Sequence, residues 1–310
     1  MESPQSIKRR LKSINNIGQI TKAMELVAAT KMRKSQEIAI LSRPYAYAAL
    51  ELLANISVQE SKLPDLLQKR KIEKTVFILV TSDKGLAGSF NGAVIRSFEK
   101  YIRDFDINPK DPKYSIIAIG KKALTYAQSR GLNVVEKFVR VGDYTSPNQT
   151  NPISDFISNG YLNKNWDLAI VFSTYFKTAL KQEVLSRMLF PVVLSSIKKT
   201  IEEIFPKTGK FANLTSNNGA MIRIDDYIIE PSPKKILEKL ALHLIRMKFY
   251  HLILETNASE HAARRVAMKS ASDNAKELFT DLSLIYNKSR QANITKEISE
   301  IVSSIESLNK

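Results

Sequence analysis

Between Lys234 and Lys310 the sequence has neither glycine nor proline, an unbroken run of 77 residues. Wound as one α-helix at 1.5 Å per residue, that run is roughly 115 Å long, far more than the width of a domain of this size. Its start is marked by Glu230-Pro-Ser-Pro: Ser232 suits an N-cap, and Pro233 suits the first helical position, where its missing N–H costs nothing. Leu237, Leu240, Leu244, Met247, His251 and Leu254 then recur at steps of three and four, and Ile294, Ile298, Ile301, Ile305 and Leu308 do so at the far end. Side chains so spaced share one helix face. The surplus length must project from whatever the remainder folds into.

The opposite terminus carries a matching pattern: Ile7, Leu11, Ile14, Ile17, Ile20, Met24 and Val27, then Ile38, Leu41, Tyr45, Ala48 and Leu52. A helix is expected to start after Pro4, capped by Ser3 or Ser6, and to run to about Val58 with a kink at Pro44, the alternative being two helices that meet at Ser42 to Pro44. Two long striped helices seek each other as a coiled coil. The expected layout is an N-terminal helix over 1–60, a central domain over 70–230 and a C-terminal helix over 231–310 that pairs with the first.

The central domain reads as an open α/β sheet. TVFILVTS from Thr75, YSIIAIG from Tyr114 and DLAIVFSTYF from Asp167 are buried-strand patterns, separated by helices from about Asn91 and from Lys121, with Gly131 at a helix end. Strand and helix in alternation imply parallel pairing. PVVLSS from Pro191 and MIRIDDYIIE from Met221 read as later strands, and Lys198 to Asn218 as loop.

The net charge is +16, and between Ser6 and Lys34 Lys8, Arg9, Arg10, Lys12, Lys22, Lys31, Arg33 and Lys34 face only Glu25. So lopsided a stripe, with few acidic neighbours one turn away, points to an anionic partner. No apolar run reaches the roughly 18 to 20 residues of a membrane span, and no secretory leader pattern follows Met1. With no cysteine there is no disulfide, thiolate metal site or cysteine nucleophile.

Catalytic patterns fail on spacing. Gly85, Gly88 and Gly92 do not form GxGxxG, and no Walker-type lysine follows them. Ser89 lacks the flanking glycines of a nucleophile elbow, and His243, His251 and His261 are too widely separated for the zinc-helix spacing. Catalytic, cofactor-binding and metal-binding residues are therefore expected to be absent. A basic coiled-coil nucleic-acid-binding protein remains an alternative on charge alone, and an α/β phosphate-handling enzyme a weaker one.

Five segments resemble one family. IKRRLKSINNIGQITKAMELVAATKMRK from Ile7, SDKGLAGSFN from Ser82, YIIEPSPKKIL from Tyr227, EHAARRVAMKSASDNAKEL from Glu260 and YNKSRQANITKEISEIV from Tyr286 are similar, in order, to the gamma subunit of rotary F-type ATP synthases. The resemblance implies a central rotor stalk whose terminal helices form an antiparallel coiled coil inside a hexamer of alpha and beta subunits. One copy would serve each complex and couple ion-driven rotation of a membrane c-ring to ATP chemistry on beta. It implies beta-subunit contacts at Lys22, Met24, Lys31, Arg33, Arg290 and Gln291, and contacts to the membrane ring or epsilon subunit at Tyr227 and Glu230. It also implies a peripheral position on the cytoplasmic face of a bacterial inner membrane, with no nucleic acid and no cofactor. Ala87 and Arg265 depart from the residues common in relatives, cysteine and methionine respectively.

Overall fold

A computed structural model describes residues 3–41, 64–68, 70–142, 145–192, 230 and 232–308. Helix α1 spans Pro4–Leu41 and helix α5 spans Pro233–Leu308, 76 residues without a break. Ser3 caps α1 by accepting the amide N–H of Ser6 on Oγ at 3.3 Å, and Ser232 accepts that of Lys235 at 3.4 Å. The expected extension of α1 to Val58 and its kink at Pro44 lie outside the described residues.

The chain divides into two compact units, 1–29 with 264–310, and 30–263. In the first, α1 and α5 run antiparallel. Gly18 faces Ala275, and further along α1 Glu25 lies in the field of Lys269 and Arg265, so rising numbers on one helix meet falling numbers on the other. The inward positions of α1 are Ile7, Leu11, Ile14, Gly18, Thr21, Glu25 and Ala28, a heptad alternation of four and three. Met268, Ala275 and Leu282 are the buried apolar residues of α5 in this unit.

This seam corrects the expected stripe beyond Ile14. Ile17, Ile20 and Val27 are 52%, 59% and 53% exposed, because small and polar residues one position later occupy the seam. Gly18 faces Ala275 in the seam, so at that level small side chains sit between the helices while the larger ones turn outward. By the same pairing Arg290 is level with Ser3, and α5 continues for roughly 25 Å as a helix with no α1 beside it. Ile294, Ile298 and Ile301 lie on that stretch, about half exposed, and do not take part in the pairing.

The second unit contains a five-stranded sheet in the order β3-β2-β1-β4-β5. β1 (Thr75–Val80), β2 (Tyr114–Ile119), β3 (Val134–Phe138) and β4 (Leu168–Phe176) are parallel, and β5 (Gln182–Phe190) returns antiparallel to β4. Between them lie α2 (Phe90–Asp104), α3 (Lys121–Ser129) and α4 (Pro147–Leu162). β1 shows the strand period of two: Val76, Ile78 and Val80 join the core under α4 and the first part of α5, whereas Phe77 and Leu79 join the core under α2 and α3.

β3, β5 and α4 are additions to the sequence reading. Of the expected strand PVVLSS only Pro191 and Val192 are described, and they follow β5 without being part of it. The strand expected from Met221 and the loop from Lys198 to Asn218 lie outside the described residues, apart from Glu230, which has no regular structure. Polar pairs fix α5 against its neighbours within this unit: Arg246 grips Asp155 of α4 with two bonds, 2.6 and 2.8 Å, and Arg187 of β5 meets Glu255 at 2.8 Å in a buried ion pair.

Candidate functional site

In an open α/β sheet a ligand would bind beyond the carboxyl ends of the parallel strands, where a helix N-terminus supplies free amides. Here a cavity of about 360 Å³ occupies that place, lined by the loops after β1, β2 and β3 and by Ile253, Asn257 and Glu260 of α5. The amides at the start of α3 are already taken. The N–H of Lys121 donates to Asp83 at 3.0 Å, that of Lys122 to the Ser82 carbonyl at 3.2 Å, and that of Ala123 to Thr81 Oγ1 at 2.8 Å. Gly120, at φ +88°, lies so close to the Thr81 carbonyl that no β-carbon fits between them. The glycine loop is equally committed: Ser82 donates its N–H to Asn91 Oδ1 at 2.9 Å and its hydroxyl to the Lys84 carbonyl at 2.6 Å. Three consecutive residues of the chain thus occupy the positions a phosphate would use. Among the described residues no group of three or more histidine, aspartate and glutamate side chains is placed to hold a metal.

The surface residues expected to meet a partner fall into separate groups. Lys22 and Met24 lie on α1 in the paired-helix unit, Lys22 exposed and Met24 half-buried. Lys22 Nζ donates to Glu25 at 2.9 Å. That hydrogen bond, helped by the charges of Lys269 and Arg265, holds the Glu25 carboxyl below its ordinary range. Arg290 and Gln291 are exposed on α5, with the Arg290 guanidinium 6.0 Å from the Tyr286 ring centroid. Along the paired helices they stand about 30 Å from the level of Met24. Lys31 and Arg33 belong to the other unit, half-buried and exposed respectively. Glu230 is exposed, and Tyr227 lies outside the described residues.

Arg265 and Lys269 were not singled out as site residues, although their spacing of four already put them on one face of α5. What identifies them is Glu25, which only the antiparallel pairing brings near. The groove beside this pairing, about 540 Å³, is lined by Ile14, Gly18, Leu26, Ala275 and Phe279, with Lys22 and Lys276 among its polar residues. No described helix is long and apolar enough to cross a membrane. The paired-helix unit displays charged and apolar side chains along its length.

Comparison with known proteins agrees. A family model described as ATP synthase matches residues 3–308. The ATP synthase gamma chain of Roseiflexus castenholzii is 36% identical over 306 residues, covering 98% of this chain and 97% of that one. The chain belongs to the ATP synthase gamma chain family. A member of this family is a non-catalytic subunit of the F-type ATP synthase and forms its central stalk. The gamma chain of Cytophaga hutchinsonii is 34% identical over 319 residues and the full length of both. In fold, the chain is similar to a rotor chain of the Euglena gracilis mitochondrial ATP synthase, at a TM-score of 0.61 and 18% identity over 94% of this chain and 98% of that one. A central-stalk chain from Tetrahymena thermophila matches at 0.56, with 20% identity, covering 82% of this chain and 99% of that one. The likeness read from five segments therefore extends along the whole gamma-family chain.

Proposed function

We propose that this chain couples ion-driven rotation of a membrane c-ring to ATP synthesis or hydrolysis on the beta subunits of an alpha–beta hexamer. The observation that carries this reading is the antiparallel pair of α1 and α5, from which α5 alone runs on for roughly 25 Å: a rod suited to reach into a surrounding assembly. On this reading the work divides among three segments, 1–60 and 231–310 as the shaft and 70–230 as the central domain. One copy per complex, seated as a peripheral protein on the cytoplasmic face of a bacterial inner membrane, is the arrangement we propose.

Torque would pass to beta at two levels. Lys22 and Met24, with Lys31 and Arg33 further along α1, offer cations and an apolar side chain to an acidic beta-subunit surface. Arg290 and Gln291 offer fixed hydrogen-bond donors on the exposed side of α5. Tyr227 and Glu230 would face the membrane ring or the epsilon subunit.

Reconstitution with alpha and beta subunits tests the proposal. ATP hydrolysis and single-molecule rotation should both depend on addition of the chain. Turnover unaffected by the chain, together with tight and steeply salt-dependent DNA binding, would establish the nucleic-acid reading instead.

A further inference from the structure

At the carboxyl ends of the strands the free helix amides beside the cavity are taken by the chain's own groups, and one carboxylate joins the loops there. Asp83, in the loop after β1, accepts the N–H of Lys121 on Oδ1 at 3.0 Å and that of Arg140 on Oδ2 at 2.8 Å. Its carboxylate therefore spans the loops that follow all of β1, β2 and β3, two oxygens to two amides. Arg140 stands at φ +62°, a left-handed conformation that a side-chain-bearing residue disfavours, and the bond from its own amide to Asp83 helps hold it there. The adjoining cavity of about 360 Å³ has Asp83, Gly120 and Arg140 on its wall, so the clasp is open to solutes the size of a small anion.

We propose that the Asp83 carboxylate is the built-in anion of this crevice: it straps three loops together and bars an external phosphate or carboxylate from the start of α3. A fold whose relatives in shape use this position for ligands has here been given a permanent occupant. The functional consequence is rigidity at the edge of the sheet beside Ile253, Asn257 and Glu260 of α5, secured without any dependence on a metabolite. Thr81 and Ser82 fill the neighbouring amides in the same way, but through a hydroxyl and a carbonyl, so Asp83 is the only charged member of the clasp.

The test is chemical rescue in the full chain. Asp83→Ala, compared with the unmodified protein by amide hydrogen exchange in sodium chloride, should exchange at least about tenfold faster at Lys121 and Arg140. Replacing chloride by acetate at equal ionic strength should restore protection at those two amides and leave the unmodified protein unchanged. Inorganic phosphate should act in the same direction. Unchanged exchange at both amides in Asp83→Ala, or an acetate effect equal in both proteins, would overturn the proposal. Should Asp83→Ala fail to fold, Asp83→Asn decides, since it keeps one acceptor oxygen: lost protection at either amide supports the clasp, and full protection at both refutes it.

Discussion

Gly18 of α1 and Ala275 of α5 face each other across the helix pair, and a β-carbon built on Gly18 would stand 3.6 Å from that of Ala275. That spacing is ordinary van der Waals contact, so the site has room for one methyl group.

Gly18→Ala should therefore stabilise the chain by about 0.5–1 kcal/mol, the helix-propensity cost of a mid-helix glycine. Gly18→Leu should cost about 1–3 kcal/mol by forcing the helices apart. Thermal melts followed by far-UV circular dichroism measure both. A destabilised alanine variant would mean the helices pack more tightly than the Cβ distance indicates.

Gly160, near the end of α4, is constrained by space alone. A β-carbon there would fall inside the Trp166 indole, whose ring nitrogen is anchored to the Ile157 carbonyl at 3.0 Å and so cannot easily withdraw. Gly160→Ala should lower unfolding stability by about 1–3 kcal/mol or more, with a loss of near-UV dichroism from the only tryptophan. A Gly160→Ala variant with wild-type urea midpoint and tryptophan signal would contradict this packing.

Acid sensitivity should trace in part to Asp167. Burial pushes its carboxyl up, but the amides of Lys74 and Glu73 and the Arg70 guanidinium at 2.7 Å outweigh burial and hold it below the usual range. A carboxyl depressed in the folded state contributes its stability above the unfolded value, about 3.9, and loses it as pH falls through the folded value. Urea midpoints should accordingly fall below about pH 4, and Asp167→Asn should be less stable at neutral pH with a flatter acid limb. Parallel acid limbs in the two proteins would exclude Asp167 as a contributor.

On the proposed rotor reading, replacing Arg290 and Gln291 together by alanine should reduce coupled turnover by about tenfold, the scale of one charge-assisted hydrogen bond. Both side chains are exposed, so the helicity of the isolated chain should change little. Equal turnover in ion-gradient-driven ATP synthesis would remove these residues from the contact.

How much of this could be read beforehand follows the range of the interactions. β1 and β2 announce themselves because a buried strand is a local apolar run, and α5 because 76 residues without a breaker leave the backbone little alternative. β5 was invisible: QEVLSRMLF mixes charge with apolar residues, and Arg187 is buried only because Glu255, 68 positions away, receives it. The period of the α1 stripe was readable, but its phase was set by a partner helix that meets Gly18 with Ala275. The clasp was hidden for the same reason, since Asp83 finds its amides 38 and 57 residues further on.

The outward turn of Ile17, Ile20 and Val27, with Ile294, Ile298 and Ile301 on the unaccompanied stretch of α5, bears on how such a chain behaves by itself. Apolar side chains left exposed in such rows favour burial against another surface. On the proposed rotor reading, the isolated chain should therefore associate with itself as its concentration rises, and less so once alpha and beta subunits are added.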